Sequence, residues 1–125
     1  MRTAAQQAGD AAEALVAEQL AAAGWTILGR NLRVGRAELD IVAVDPGGPN
    51  LVIVEVRWRS RRDYGLAEET IDHAKWARLR RAAFTLVEYG SIHAAQVLPR
   101  LPLRFDLVVL EPGGRLRHHR HVDAG

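Results

Sequence analysis

A stripe at helical spacing opens the chain, running through Ala8, Ala12, Leu15, Val16, Gln19, Leu20 and Ala23. It predicts a helix from about Ala5 to Ala23, stopped by Gly24. Glu13 lies at the edge of the stripe, three before Val16 and seven before Leu20, where a charge solvated on the helix flank is the ordinary explanation. Shorter apolar runs follow. Trp25 to Arg33 and Arg36 to Asp45 read as two strands, and the turn Pro46-Gly47-Gly48-Pro49 leads into a third, Leu51 to Arg59. A polar loop turning at Tyr64-Gly65 precedes a long helix, Glu68 to Tyr89. Glu68, Glu69 and Thr70 suit its N-terminal end, and Gly90 stops it. The sheet-facing stripe of that helix is Ile71, Lys75, Leu79, Ala82, Ala83 and Leu86. Leu103 to Glu111 reads as a fourth strand, and Arg115 to Val122 as a short final strand or tail after a Pro-Gly-Gly turn. Helix, three strands, helix, strand describes one α/β domain with a mixed sheet, its core over about 9–111 and a basic His/Arg-rich tail over 115–125.

The strands carry charge where a core would hold Val or Ile. Asp40 interrupts the second, and Glu55 and Arg57 interrupt the third. Burying a lone charge is costly and is tolerated when it meets a metal or a partner. A four-residue Pro46–Pro49 loop closed by Asp45 and Asn50 gives antiparallel pairs whose numbers sum to 95. That register sets Asp40 opposite Glu55 and Glu38 opposite Arg57, whereas a slip of one residue sends Glu55 to the other face. Two facing carboxylates repel unless a cation lies between them. Mg²⁺ or Mn²⁺ suits such hard oxygen ligands, with the Val56 carbonyl as a further backbone donor. A salt network among Asp40, Glu55, Arg57, Arg36 and Lys75 is the competing explanation.

Composition narrows the setting. The 125 residues include no cysteine, which excludes disulfides and cysteine metal sites and makes a reducing cytoplasm the simplest location. The N-terminal segment has acids within its apolar stretch, so it reads as neither signal peptide nor membrane span. A net charge of +2 says little, but its distribution says more. Arg57, Arg59, Arg61 and Arg62 crowd one segment, Arg78, Arg80 and Arg81 another, and the tail adds Arg115, Arg117, Arg120 and three histidines. Clustered Arg suits phosphate contact, as well as a solvated surface. Of 17 basic residues only Lys75 is a lysine, which suggests chemistry special to an ammonium. Trp25, Trp58 and Trp76 offer faces for base stacking, although Trp58, on the parity opposite Arg57, reads better as core. His118, His119 and His121 read as a solvated or phosphate-facing cluster, and Arg104 with Asp106 as a structural pair.

These pieces resemble the PD-(D/E)XK nuclease superfamily, and within it the YraN-like family of bacterial proteins related to Holliday-junction resolvases and the tRNA-endonuclease-like fold. The resemblance rests on Gly9 and Glu13, Gly24, Arg30-Asn31, Glu38-Leu39-Asp40, and Val54-Glu55-Val56-Arg57 with Arg59. It continues through Tyr64-Gly65, Lys75 and Arg104-Phe105-Asp106, covering roughly residues 9 to 110. It implies a restriction-endonuclease-like αβββαβ core, a mixed sheet flanked by helices. It also implies Asp40 and Glu55 as metal ligands, Glu13 as a further acid, and Arg57 where the superfamily has its catalytic lysine. Arg cannot exchange a proton with water, so Lys75 is the candidate for the missing ammonium.

The function expected on this basis is metal-dependent endonucleolytic hydrolysis of phosphodiesters in structured nucleic acid, branched forms included. DNA ranks ahead of RNA, Arg59, Arg61, Arg62, Arg78 and Arg81 hold the backbone, and a homodimer is allowed. The alternatives are a binding protein of nuclease fold with little or no catalysis, or a protein-interaction domain.

Overall fold

The computed structural model describes residues 3–58, 73–93 and 96–122. Helix α1 (Ala4–Ala22) starts at a capping box in which Thr3 Oγ1 accepts from the Gln6 amide and Gln6 Oε1 accepts from the Thr3 amide. Strands β1 (Thr26–Val34), β2 (Ala37–Asp45) and β3 (Asn50–Trp58) form an antiparallel meander. Helix α2 (His73–Tyr89) crosses over to β6 (Leu103–Leu110), which lies parallel to β3, and β7 (Leu116–His119) pairs antiparallel at the edge. The sheet is therefore mixed, in the order β1-β2-β3-β6-β7. A small hairpin, β4 (Ser91–His93) and β5 (Gln96–Val97), lies beyond the segments read as strands. The anticipated helix start at Glu68 and the Tyr64-Gly65 turn fall outside the described residues.

Both faces of the sheet are covered, which is why β3 reads Leu-Val-Ile-Val without alternation. Leu39, Val42, Leu51, Ile53, Leu107 and Val109 pack with Trp76, Leu79, Ala83 and Leu86 of α2. Ile41, Ala43, Val52, Val54 and Val108 pack with Val16, Ala17 and Leu20 of α1. The β2–β3 register sums to 95, from Asp45↔Asn50 to Ile41↔Val54, as the loop length required.

Four expectations need correction. Glu13 is no flank charge: it is 8% exposed, within the buried stripe Ala12, Glu13, Val16, Ala17 and Leu20. The helix is rotated from the anticipated stripe, because Gln19 and Ala23 face solvent while Ala17 packs inward. Trp58 is 53% exposed rather than core. Its parity-mates Val52, Val54 and Val56 are covered by α1 side chains such as Val16 and Leu20. Nearer its N-terminus α1 presents Gly9 and Ala12, which are too small to cover an indole. The pairings of Asp40 with Glu55 and of Glu38 with Arg57 do not form in the ladder, because β2–β3 pairing ends at Ile41↔Val54, and Glu38 pairs with Arg33 of β1 instead.

At the loop end of the sheet, Arg104 is more than the partner of Asp106. Its guanidinium donates to both Asp106 oxygens (Nε to Oδ1 at 2.9 Å, Nη2 to Oδ2 at 2.8 Å) and to Asp45 Oδ2 at 2.8 Å. His118 joins the network, Nε2 lying 2.8 Å from Asp106 Oδ2 and its ring 5.5 Å from that of Trp25. His118 is thus tied into the fold rather than facing a phosphate.

Candidate metal centre

The site forms where β2 and β3 part. Past Ile41↔Val54 the Val56 amide donates to Asp40 Oδ2 at 2.9 Å, so the carboxylate of Asp40 occupies the gap between the strands. Glu13 reaches the same place from α1, and Glu38 from β2. One oxygen of each of Glu13, Glu38 and Asp40 lies within 4.8 Å of the other two. Asn31, held at φ 52° in the left-handed region that Asn tolerates, turns its amide toward this group, and the facing carboxylates assign the nitrogen to the inward position. It stands 2.6 and 2.9 Å from the two Glu13 oxygens and 3.0 Å from Glu38 Oε1.

Glu55, 4% exposed, is held from the other side. Lys75 Nζ lies 2.9 Å from Glu55 Oε1, and Arg57 Nε lies 3.9 Å from the same oxygen. Arg57 Nε is sealed from water and has no hydrogen-bond partner among the described residues. Asp40, Glu55, Val56, Arg57, Lys75 and Glu13 all line one cleft of about 240 Å³. A second cleft of about 320 Å³ opens from Asp40, Glu55 and Lys75 toward Arg36 and Arg78. Arg36, Arg78 and Arg81 line the next depression, of about 400 Å³, along α2. Of the anticipated backbone-binding residues, Arg78 and Arg81 thus flank the site on one helix face, while Arg59, Arg61 and Arg62 lie outside the described residues.

Sequence reasoning underused three residues. Glu38 was placed opposite Arg57 but completes the acid group. Asn31 served only as a marker of resemblance, although Asn is among the few non-glycine residues that favour a positive φ. Arg36 was considered only as a salt partner.

The acids strain against one another. Burial, then the charge of Glu38, pushes the Glu13 carboxyl from 4.5 to about 7. Burial, then Glu55, pushes Asp40 from 3.8 to about 8, the Val56 amide opposing only in part. Three close carboxylate oxygens, with the ionisation of Glu13 and Asp40 opposed by burial, fit a hard divalent cation, which would reverse the sign of the local field. The Val56 and Asn31 donors supply the outer contacts that orient such ligands. Because Glu13 and Asp40 must lose protons to bind an ion, Mn²⁺ affinity measured by calorimetry should climb from pH 6 to 8, by up to about two protons released per ion, and level off above. A pH-independent affinity would show that these acids do not hold it.

A mixed sheet flanked by helices, with clustered acids and a lysine where its central strands part, is consistent with a restriction-endonuclease-like core. The chain belongs to the uncharacterised protein family UPF0102, the YraN family, whose model matches residues 12–110. A UPF0102 protein of Symbiobacterium thermophilum is 42% identical over 115 residues, 90% of each chain. One from Bordetella avium is 44% identical over 105 residues, 84% of this chain and 67% of its own. The solved structure of Pyrococcus furiosus SfsA in complex with Ca²⁺ aligns with 85% of this chain and 58% of its own at 15% identity. Its TM-score of 0.31 is too slight to bear on fold or site. No helix among the described residues is long and apolar enough to cross a membrane.

Proposed function

We propose that this protein is a divalent-metal-dependent endonuclease acting on nucleic acid, with DNA as the preferred polymer. The convergence of Glu13, Glu38 and Asp40 beside the Glu55–Lys75 pair carries this reading. Asp40, with Glu13 and Glu38, would hold the ion, and Glu55 and Val56, which line the same cleft, would complete its surroundings. A bound divalent ion supplies Lewis-acid activation of water and neutralises charge on a phosphate.

The chain's own groups supply the rest. Val56 N–H fixes the Asp40 carboxylate, so the ligand does not reorganise. Lys75, held by Glu55, presents the ammonium that the strand motif lacks, in position to orient water or to stabilise charge on the phosphate. Arg57 stays charged and contributes electrostatics only. A binding protein without catalysis is the second reading, favoured by that Arg in place of lysine.

The test is cleavage of branched, single-stranded and duplex substrates with Mg²⁺ and with Mn²⁺, beside Asp40→Asn. Ion-dependent cleavage by wild type alone supports the first reading, and tight binding without cleavage the second.

The Arg36–Arg78–Arg81 face makes a separate prediction. Binding should weaken linearly on a log–log salt plot, and Arg78→Ala or Arg81→Ala should each lower the slope by about one, irrespective of sequence. Filter binding across a salt series measures it, and salt-insensitive binding would favour a protein-interaction domain.

A further inference from the structure

We propose that Trp58 is a base-stacking platform, so that the polymer is engaged with an unpaired nucleotide next to the acid cluster. This rests on the nucleic-acid reading above and adds the form of the substrate. Of the three tryptophans, Trp25 and Trp76 are 7% and 4% exposed and their faces are spent in the core. Trp58 is the exception at 53%. It closes β3 and lines the cleft at its end, where the α1 residues beside it are Gly9, Ala12 and Glu13. The same cleft is lined by Glu13, Asp40, Glu55, Arg57 and Lys75. One cleft therefore carries an exposed indole together with the groups proposed to act on a phosphate.

Chemistry identifies the occupant. A nucleotide offers a flat π-face and an anionic phosphate a few bonds apart, matching an indole beside cations. In a duplex both faces of each base are covered by its neighbours, so an indole can stack only on a base that is single-stranded, at a branch or flipped. Stacking tolerates any base, so this surface selects strand state rather than sequence. Arg36 and Arg78 lie across the acids from Trp58 and supply a phosphate track leading away from it.

The exposure of Trp58 also provides the measurement. The full chain in EDTA, which prevents cleavage, is titrated at low salt with an oligothymidylate, an abasic oligomer of equal length and a duplex, following tryptophan emission and anisotropy. Oligothymidylate should quench the long-wavelength emission, and the abasic oligomer should bind without quenching. Trp58→Ala should weaken oligothymidylate binding about tenfold and leave abasic binding unchanged. Trp58→Phe, which keeps a ring, should retain most of the affinity and lose the quenching. If Trp58→Ala binds both oligomers as wild type does, or loses both equally, the platform is overturned while nucleic-acid binding stands. Binding to no polymer overturns both. Circular dichroism of each variant checks the fold, which an exposed position should not disturb.

Discussion

Asp40→Asn should lower divalent-metal-dependent cleavage by about 10³-fold or more, while nucleic-acid affinity holds or improves because a negative charge facing phosphate is gone. Asn keeps an oxygen to accept the Val56 amide, so the strand divergence should survive. The same variant separates a metal site from a salt network through its stability. Asp40 binds its proton more tightly folded than unfolded, its carboxyl being raised from 3.8 to about 8. Wild type without metal therefore loses stability as pH rises between those values, and the loss is complete above about 8. The neutral amide removes that slope. In EDTA at pH 8.5 the variant should melt above wild type, and at pH 4 the advantage should vanish. Mn²⁺ should raise the wild-type Tm at pH 8 and leave the variant's unmoved. If Asp40 were instead a stabilising member of a salt network, Asp40→Asn would melt lower at pH 8.5 and the ion would change neither protein. That result, with no cleavage, would leave only the fold.

How much of this was legible without coordinates depends on the physics involved. The β2–β3 register was readable because a four-residue loop fixes it, and side-chain period two then fixes the faces. Lys75 and Glu55 were readable as one site because a lone lysine at helical spacing and a lone acid on a buried strand each demand an explanation. The failures share a different cause. Where β2 leaves β3 is decided by the Asp40 side chain capturing the Val56 amide, a tertiary event with no periodic signal, and it determined the fate of Glu38. The rotation of α1 was hidden because its sequence is mostly Ala, Gln and Glu, whose small hydrophobic contrast leaves several faces equivalent. Trp58 was misplaced because parity gives the side of a sheet, whereas coverage depends on the size of residues on a helix remote in sequence.

Arg104→Ala should destabilise the protein by about 3–5 kcal/mol in urea unfolding at pH 7. Arg104 is 6% exposed, and its partners Asp106 and Asp45 are 0% and 4% exposed. Burial alone would raise both carboxyls, yet both are held below the usual range. Asp106 is held by His118 and Arg104, and Asp45 by the Gly47 amide and Arg104. Removing the guanidinium leaves Asp106 with only His118 and the His121 amide, and Asp45 with Gly47 and Arg120. Two buried anions then face too few donors, which costs far more than the intact network contributes over an apolar replacement. Arg104→Met with Asp106→Leu should accordingly recover a large part of the loss. The pH dependence follows from the depressed carboxyls. In wild type their stabilisation is present at neutral pH and is lost as pH falls below about 4 through the folded values. In Arg104→Ala those values rise, so its deficit should be largest near pH 7 and narrow toward pH 3. A deficit below about 1 kcal/mol at pH 7 would place this arginine among ordinary surface pairs and contradict the burial seen at the loop end of the sheet.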